Sequence, residues 1–159
     1  MSGVMVGILL IAHAPLATAL AAAAAHVYSC EPERATAQLR TFDVQADTDT
    51  AANVATARSL AQEIDTGSGV LVLVDAFGSS PGNVATQLAE SGRVTVIAGV
   101  NLPMLLRALC YRDGGLSQTT EKALAGGGQG IMQVASTAVQ HQGVRPSQGD
   151  DLARFHHQQ

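Results

Sequence analysis

The chain reads as an α/β protein with an open, mostly parallel sheet and helices on both faces. Three observations lead there. Val4-Met5-Val6-Gly7-Ile8-Leu9-Leu10-Ile11-Ala12 and Val70-Leu71-Val72-Leu73-Val74 are continuous apolar runs, the pattern of parallel strands buried on both faces. Helical patterns alternate with the strands, and successive βα units imply right-handed crossovers. A length of 159 residues fits one domain with a core that needs no disulfide staples.

Each element has its own signal. Val4 to Ala12 is the first strand, and Pro15 to Ser29 is a helix carried by alanine's high propensity. Pro15 suits a first-turn position, where its missing N–H costs nothing. Leu39 to Val44 alternates apolar and polar side chains, as an outer, half-covered strand does. Ala51 to Ile64 repeats its apolar residues at mostly helical spacing, with Asp47 or Asp49 as N-cap. Val70 to Val74 is a buried strand that ends on Asp75. The small-residue stretch Ala76 to Asn83 leads into a helix from about Pro81 to Ser91, with Ser80 as the expected cap. Arg93 to Ala98 is a β-branched strand, Gly99 to Pro103 a turn, and Met104 to Arg112 a short helix. Gln118 to Gln140 is helical in pattern, and its glycines at 126, 127, 128 and 130 predict a bend. The domain is expected to span 1–141, followed by a polar, disordered tail over 142–159 that carries His156 and His157.

Composition narrows the function classes. A formal charge of −4 argues against nucleic acid or an anionic membrane as partner, since both are held by Lys and Arg clusters. Aromatics make up 3%, with no Trp, too few for a stacking platform. Cys30 and Cys110 have neither CxxC nor metal-type spacing and read as reduced thiols of a cytosolic protein. From Ser2 to Cys30 there is no charged side chain, which raises a signal peptide or membrane span as alternatives. The n-region lacks Lys and Arg, and Gly7, His13, Pro15, Thr18 and His26 interrupt the run, so direct membrane insertion is not expected.

Chemistry gathers at strand ends. Ligand-handling residues of open α/β sheets lie at the carboxyl ends of the strands, where His13 and Asp75 fall. If the two strands are neighbours, the carboxylate holds one ring N–H, fixes the tautomer and frees the other nitrogen. Ser79, Ser80 and Ala14 are the candidate phosphate-binding positions. Taken one at a time, His13 could be a plain solvent-facing histidine, Asp75 a loop cap and Asn101 a turn residue. A Ser-His-Asp hydrolase is another reading of the trio. The glycine-rich stretch after 125 follows no strand and lacks the Lys-Ser/Thr pair of a phosphate loop.

Three segments carry a family resemblance: Gly7-Ile8-Leu9-Leu10-Ile11-Ala12-His13, Gly69 through Ala85 with Asp75-Ala76-Phe77-Gly78-Ser79-Ser80-Pro81-Gly82-Asn83 at its centre, and Val96 through Leu105 around Asn101-Leu102-Pro103-Met104. In this order and spacing, the region from about Val4 to Val134 resembles the IIA component of the mannose family of bacterial sugar phosphotransferase systems. The resemblance implies a cytoplasmic phosphoryl carrier, peripheral at most to a membrane permease complex. The histidine matching His13 takes the group from the phosphocarrier HPr and passes it to a IIB component during phosphoenolpyruvate-dependent sugar uptake. It further implies that Asp75 orients the imidazole and that Ser80 lies near the phosphate; with Asp75 on Nδ1, the physical expectation is phosphorylation at Nε2. A homodimer exchanging a C-terminal antiparallel strand is implied too; no metal or organic cofactor is.

Departures and alternatives remain. Ala14 stands where the family often has Gly, and Phe77 where it often has Trp; neither change removes a reactive group. No IIB domain follows within these residues, so the acceptor is expected to be a separate protein. A stand-alone regulatory module, whose His13 phosphorylation controls partner binding, is the alternative. The dihydroxyacetone-kinase phosphotransfer subunit has a similar fold and strand-end histidine, but the Gly78-Ser79-Ser80-Pro81 and Asn101-Leu102-Pro103-Met104 motifs fit the mannose group better.

Overall fold

The computed structural model of the chain describes residues 3–135. Its strands are β1 (Gly7–His13), β2 (Leu39–Val44), β3 (Val70–Val74) and β4 (Val94–Ala98). They form one sheet in the order β2-β1-β3-β4, and every pairing between them is parallel. The helices are α1 (Leu16–Val27), α2 (Pro32–Thr36), α3 (Thr50–Ile64), α4 (Ser80–Thr86), α5 (Leu102–Tyr111) and α6 (Leu116–Gln129). A single 3₁₀ turn, Arg112–Gly114, joins the last two.

Alternation along the central strands divides the interior into two cores. Ile8, Leu10 and Ala12 of β1 and Leu71 and Leu73 of β3 face Ala17 and Ala24 of α1, Leu105 and Leu109 of α5 and Ala123 of α6. Leu9 and Ile11, with Val70, Val72 and Val74, face Ala57, Ala61 and Ile64 of α3 and Val84 and Ala85 of α4. All seven residues of β1 except His13 are buried, and all five of β3 are. The continuous apolar runs therefore mark the two strands that are covered on both sides. Helix α3 ends so close to β1 that a Cβ on Gly7 would stand 2.7 Å from the Ile64 carbonyl oxygen.

Several boundaries differ from the sequence reading. Strand β1 begins at Gly7 rather than Val4. Helix α2 was not expected: its five residues are too few to show a period. Helix α4 stops at Thr86 instead of Ser91, because Glu90 turns back to exchange backbone hydrogen bonds with Val94 at 3.0 and 2.8 Å. Gly92, at φ 76°, closes that turn. Helix α5 starts two residues early, at Leu102, with Asn101 as its cap. Helix α6 runs from 116 to 129 rather than 118 to 140, and it is helical through Gly126–Gly128 with no break at the expected bend.

Gly126, Gly127 and Gly130 serve packing instead, while a Cβ on Gly128 would meet nothing within 4 Å. A Cβ on Gly126 would lie 2.6 Å from Arg107 Cβ, and one on Gly130 would lie 2.6 Å from Pro103 Cβ. The close approach of α6 to α5 offsets a helix-propensity cost of about 1 kcal/mol for each glycine. Asn101 adds to this seam, accepting from the Met104 N–H at 2.9 Å and donating Nδ2 to the Gly127 carbonyl at 3.0 Å.

No helix among the described residues is long and apolar enough to cross a membrane. The stretch Ser2 to Cys30, uncharged as it is, supplies a central strand and its covering helix. The expected tail over 142–159, with His156 and His157, lies outside the described residues.

Candidate active site

Strand order fixes where the site falls. The chain moves from β1 outward to β2 and then crosses back to β3 on the other side of β1. The order reverses between β1 and β3, and in open α/β sheets the crevice beyond the carboxyl ends at this switch point is the ligand site. His13 is the last residue of β1, and Asp75 directly follows β3. Parallel pairing of Ile11 with Val74 ends the two strands at the same edge of the sheet, within one residue of register.

Asp75 grips His13 twice. Its Oδ2 accepts the His13 backbone N–H at 2.9 Å and lies 2.6 Å from His13 Nδ1. Oδ1 accepts the Ala76 N–H at 2.8 Å. Burial pushes the Asp75 carboxyl up, but hydrogen bonds from the His13 backbone and ring and from Ala76 outweigh it and hold the group below the usual carboxylate range. An ionised carboxylate only accepts, so the proton between the two side chains sits on Nδ1. Nε2 then carries the imidazole lone pair. The Asp75 side chain is 12% exposed and the His13 side chain 57%, so the anchor is sheltered and the ring faces out.

The loop after Asp75 is built around a cap. Ser79 is the N-cap of α4, not Ser80: its hydroxyl accepts the Gly82 N–H at 3.2 Å and donates to the Ala76 carbonyl at 2.6 Å. Both hydroxyl capacities of Ser79 thus serve the loop. Ser80, the first residue of α4, is exposed and lines a groove of about 460 Å³ together with His13, Ala14, Thr48, Asn53 and Val84. Ala14 enters the groove with its N–H donated to the Val44 carbonyl at 3.0 Å. Its far wall is the β2–α3 connection, where Asn53 Nδ2 donates to Thr48 Oγ1 at 2.8 Å and Thr48 donates to the Gln45 carbonyl at 2.9 Å.

One neighbouring residue escaped the sequence reading. Pro15 stands at the N-cap of α1 and offers no side-chain bond. Asp43 of β2 caps this helix from outside, accepting the Thr18 N–H at 3.2 Å and the Thr18 hydroxyl. The only trace in the sequence is a carboxylate one residue from the end of an edge strand. Phe77, at the loop tip beside Asp75, is 87% exposed.

Comparison with known proteins bears on this arrangement. The family model described as "PTS system fructose IIA component" matches residues 7–124. The mannose-specific EIIAB component of Escherichia coli K12 is 38% identical over 88 residues, which is 54% of this chain and 27% of that protein. The fructose-specific EIIA component of Bacillus subtilis is 51% identical over 45 residues, 28% of this chain and 31% of that protein. The chain's matches thus span under a third of the length of these relatives. Among solved structures, the mannose/sorbose-specific IIA subunit of Enterococcus faecalis superposes with a TM-score of 0.71 at 20% identity, covering 83% of this chain and 96% of that one. The IIA protein associated with the fucose utilization operon of Streptococcus pneumoniae gives a TM-score of 0.70 at 21% identity, covering 84% and 96%. A strand-end histidine and aspartate on this parallel sheet, within a family match that spans most of the chain, lead to one conclusion: the chain belongs to the EIIA-man family of phosphotransferase-system IIA components.

Proposed function

We propose that the chain is a cytoplasmic phosphoryl carrier that accepts the group on His13 Nε2 from phospho-HPr and passes it to a IIB component in phosphoenolpyruvate-dependent sugar uptake. The observation that carries this reading is the Nδ1 contact with Asp75, which leaves an exposed Nε2 lone pair at the switch point. In the first transfer that lone pair attacks phosphorus, an N–P bond to His13 forms, and the N–P bond to HPr breaks with its electron pair returning to the donor imidazole. The second transfer reverses the roles. As phosphoryl joins Nε2, positive charge spreads over the ring, and the Asp75 carboxylate beside Nδ1–H stabilises it. Ser80, whose hydroxyl is not used by the α4 cap, donates to a phosphoryl oxygen, and Ser79 and Ala14 shape the same rim.

The proposed assembly is a homodimer in which a C-terminal strand pairs with the partner's sheet. Ile131, Met132 and Val134 are 77, 70 and 85% exposed just after α6, and β4 is an edge strand. Such a row of apolar side chains beside an open edge favours strand addition.

Incubation with phosphoenolpyruvate, enzyme I and HPr should label the protein in an acid-labile form. His13→Ala should take up no label. Label retained by that variant refutes the assignment.

A further inference from the structure

A second cavity lies at the opposite end of the sheet from His13. About 700 Å³ in volume, it is bordered by Met5, Glu31, Glu33, Arg34, Gln38 and Arg112. That size is within the range of small-molecule sites. Its floor is the amino end of the sheet, where Val6 N–H donates to the Arg112 carbonyl and Ile8 N–H to the Gln38 carbonyl, both at 3.0 Å.

Two groups in its wall are left incomplete by the fold. Arg112 is 1% exposed, and its guanidinium donates to the carbonyls of Ala37 at 2.5 Å and Arg34 at 2.8 Å. Among the described residues no carboxylate lies within ion-pair distance of it; Asp113 pairs with Arg34 instead, at 3.6 Å. Burial pushes the Arg112 guanidinium down from its ordinary value, yet an arginine keeps its proton. A buried cation without a counter-charge is costly. Gln38 presents the second incomplete group, a buried Oε1 with no hydrogen-bond partner among the described residues. Its backbone is also in the left-handed region, at φ 50°. Non-glycine residues persist there when their surroundings hold them, and such strain gathers at ligand clamps.

We infer that this cavity is a second ligand site, for a small hydroxylated anion. The anionic group supplies the counter-charge of Arg112, and a hydroxyl completes the Gln38 amide. Because a hydroxyl both donates and accepts, it satisfies that amide in either orientation. The remaining charges limit the ligand. Arg34 is taken up by Glu31 at 3.2 Å and Asp113, while Glu33 has no ion-pair partner among the described residues. Its carboxylate accepts from further hydroxyls and repels a second anionic group. Phosphorylated polyols and hydroxy acids share this chemistry.

The test is titration of the full chain with glycerol 3-phosphate and, separately, glycerate, read by amide chemical shifts and calorimetry. Inorganic phosphate and glycerol are the controls. Saturable shifts at Arg34, Gln38 and Arg112 are expected with at least one hydroxylated anion, and its identity separates phosphate from carboxylate sources. Each control should bind at least about tenfold more weakly, since one of the two incomplete groups stays unsatisfied. Gln38→Gly adopts φ 50° without strain, so it should fold, keep the rate of His13 phosphorylation and lose about tenfold or more in affinity. Arg112→Lys should lose the anion as well, with the glycine variant covering the case where it fails to fold. No saturable shift with either compound, equal binding of inorganic phosphate, or affinity unchanged by Gln38→Gly overturns the inference.

Discussion

Replacing Asp75 with Asn separates tautomer control from packing. The carboxylate now accepts three N–H groups: the His13 backbone at 2.9 Å and ring at 2.6 Å on Oδ2, and Ala76 at 2.8 Å on Oδ1. An amide has one oxygen. If it faces Ala76, the NH₂ opposes the His13 ring, which must shift its proton to Nε2 and so loses the nucleophilic lone pair. If it faces His13, the NH₂ opposes the Ala76 N–H, donor against donor, and the negative charge behind the ring is gone. Either way one charge-assisted hydrogen bond is lost, worth about 1.5–3 kcal/mol. If the loss falls mainly on the transition state, at about 1.4 kcal/mol per tenfold, transfer slows about 10- to 150-fold. Rapid-quench measurement of labelling by phospho-HPr gives the rate, and ¹⁵N shifts of the His13 ring give the tautomer. A rate within about twofold of the unaltered protein would refute the orienting role. Slow transfer with the proton still on Nδ1 would leave lost charge, not the tautomer, as the cause.

Other perturbations reach different parts of the argument. Because the Asp75 carboxyl lies below its usual range when folded, the stability it contributes is complete above the unfolded value of about 3.9 and is lost as pH falls through the folded value. Urea midpoints measured between neutral and strongly acid pH should therefore fall less steeply at the acid end for Asp75→Asn. Ser80→Ala should slow labelling of His13 and leave the urea midpoint unchanged. Ser79→Ala should lower stability by about 1 kcal/mol through loss of the α4 cap. Asp49 accepts the N–H groups of Ala51 and Ala52 at 3.3 and 3.2 Å, so Asp49→Ala should cost about 1 kcal/mol without affecting transfer. Gly126→Ala places a methyl group 2.6 Å from Arg107 Cβ and should destabilise by about 1–3 kcal/mol, read as a lower melting temperature.

The buried strands were the most legible elements, because an apolar run bounded by polar or small residues fits little else at that length. Strand β2 matched the reading at both ends, since one alternating face and one open edge leave a period of two. What the chain did not disclose depends on contacts distant in sequence. Helix α4 is cut short by the Glu90 to Val94 pairing, although Gln87, Leu88 and Ala89 are good helix formers. Ser79 and Ser80 are equally good caps by residue type, and only the loop geometry picks Ser79. Gly126 and Gly127 of α6 look like breakers until α5 is laid against them. Within the site, His13 and Asp75 were visible as strand-end residues; their adjacency required the strand order. Asp43 was not visible because it acts across space on α1, and the groove wall from Gln45 to Asn53 was not visible because only the strand order brings the β2–α3 connection beside His13.

The double grip of Asp75 on His13 bears on which way a group travels. Main chain and ring are tied to one carboxylate, itself tied to the amide of Ala76. The imidazole therefore has no rotamer to search when a donor arrives and none to regain when an acceptor departs. Its ordering entropy is lost once, during folding, and not at each encounter. Incoming and outgoing partners then meet the same nitrogen in the same orientation, so the site has no built-in arrow. Under the proposed function, net direction follows the phosphorylation levels of the donor and acceptor pools, and the protein serves as a junction between them, with traffic that can run either way.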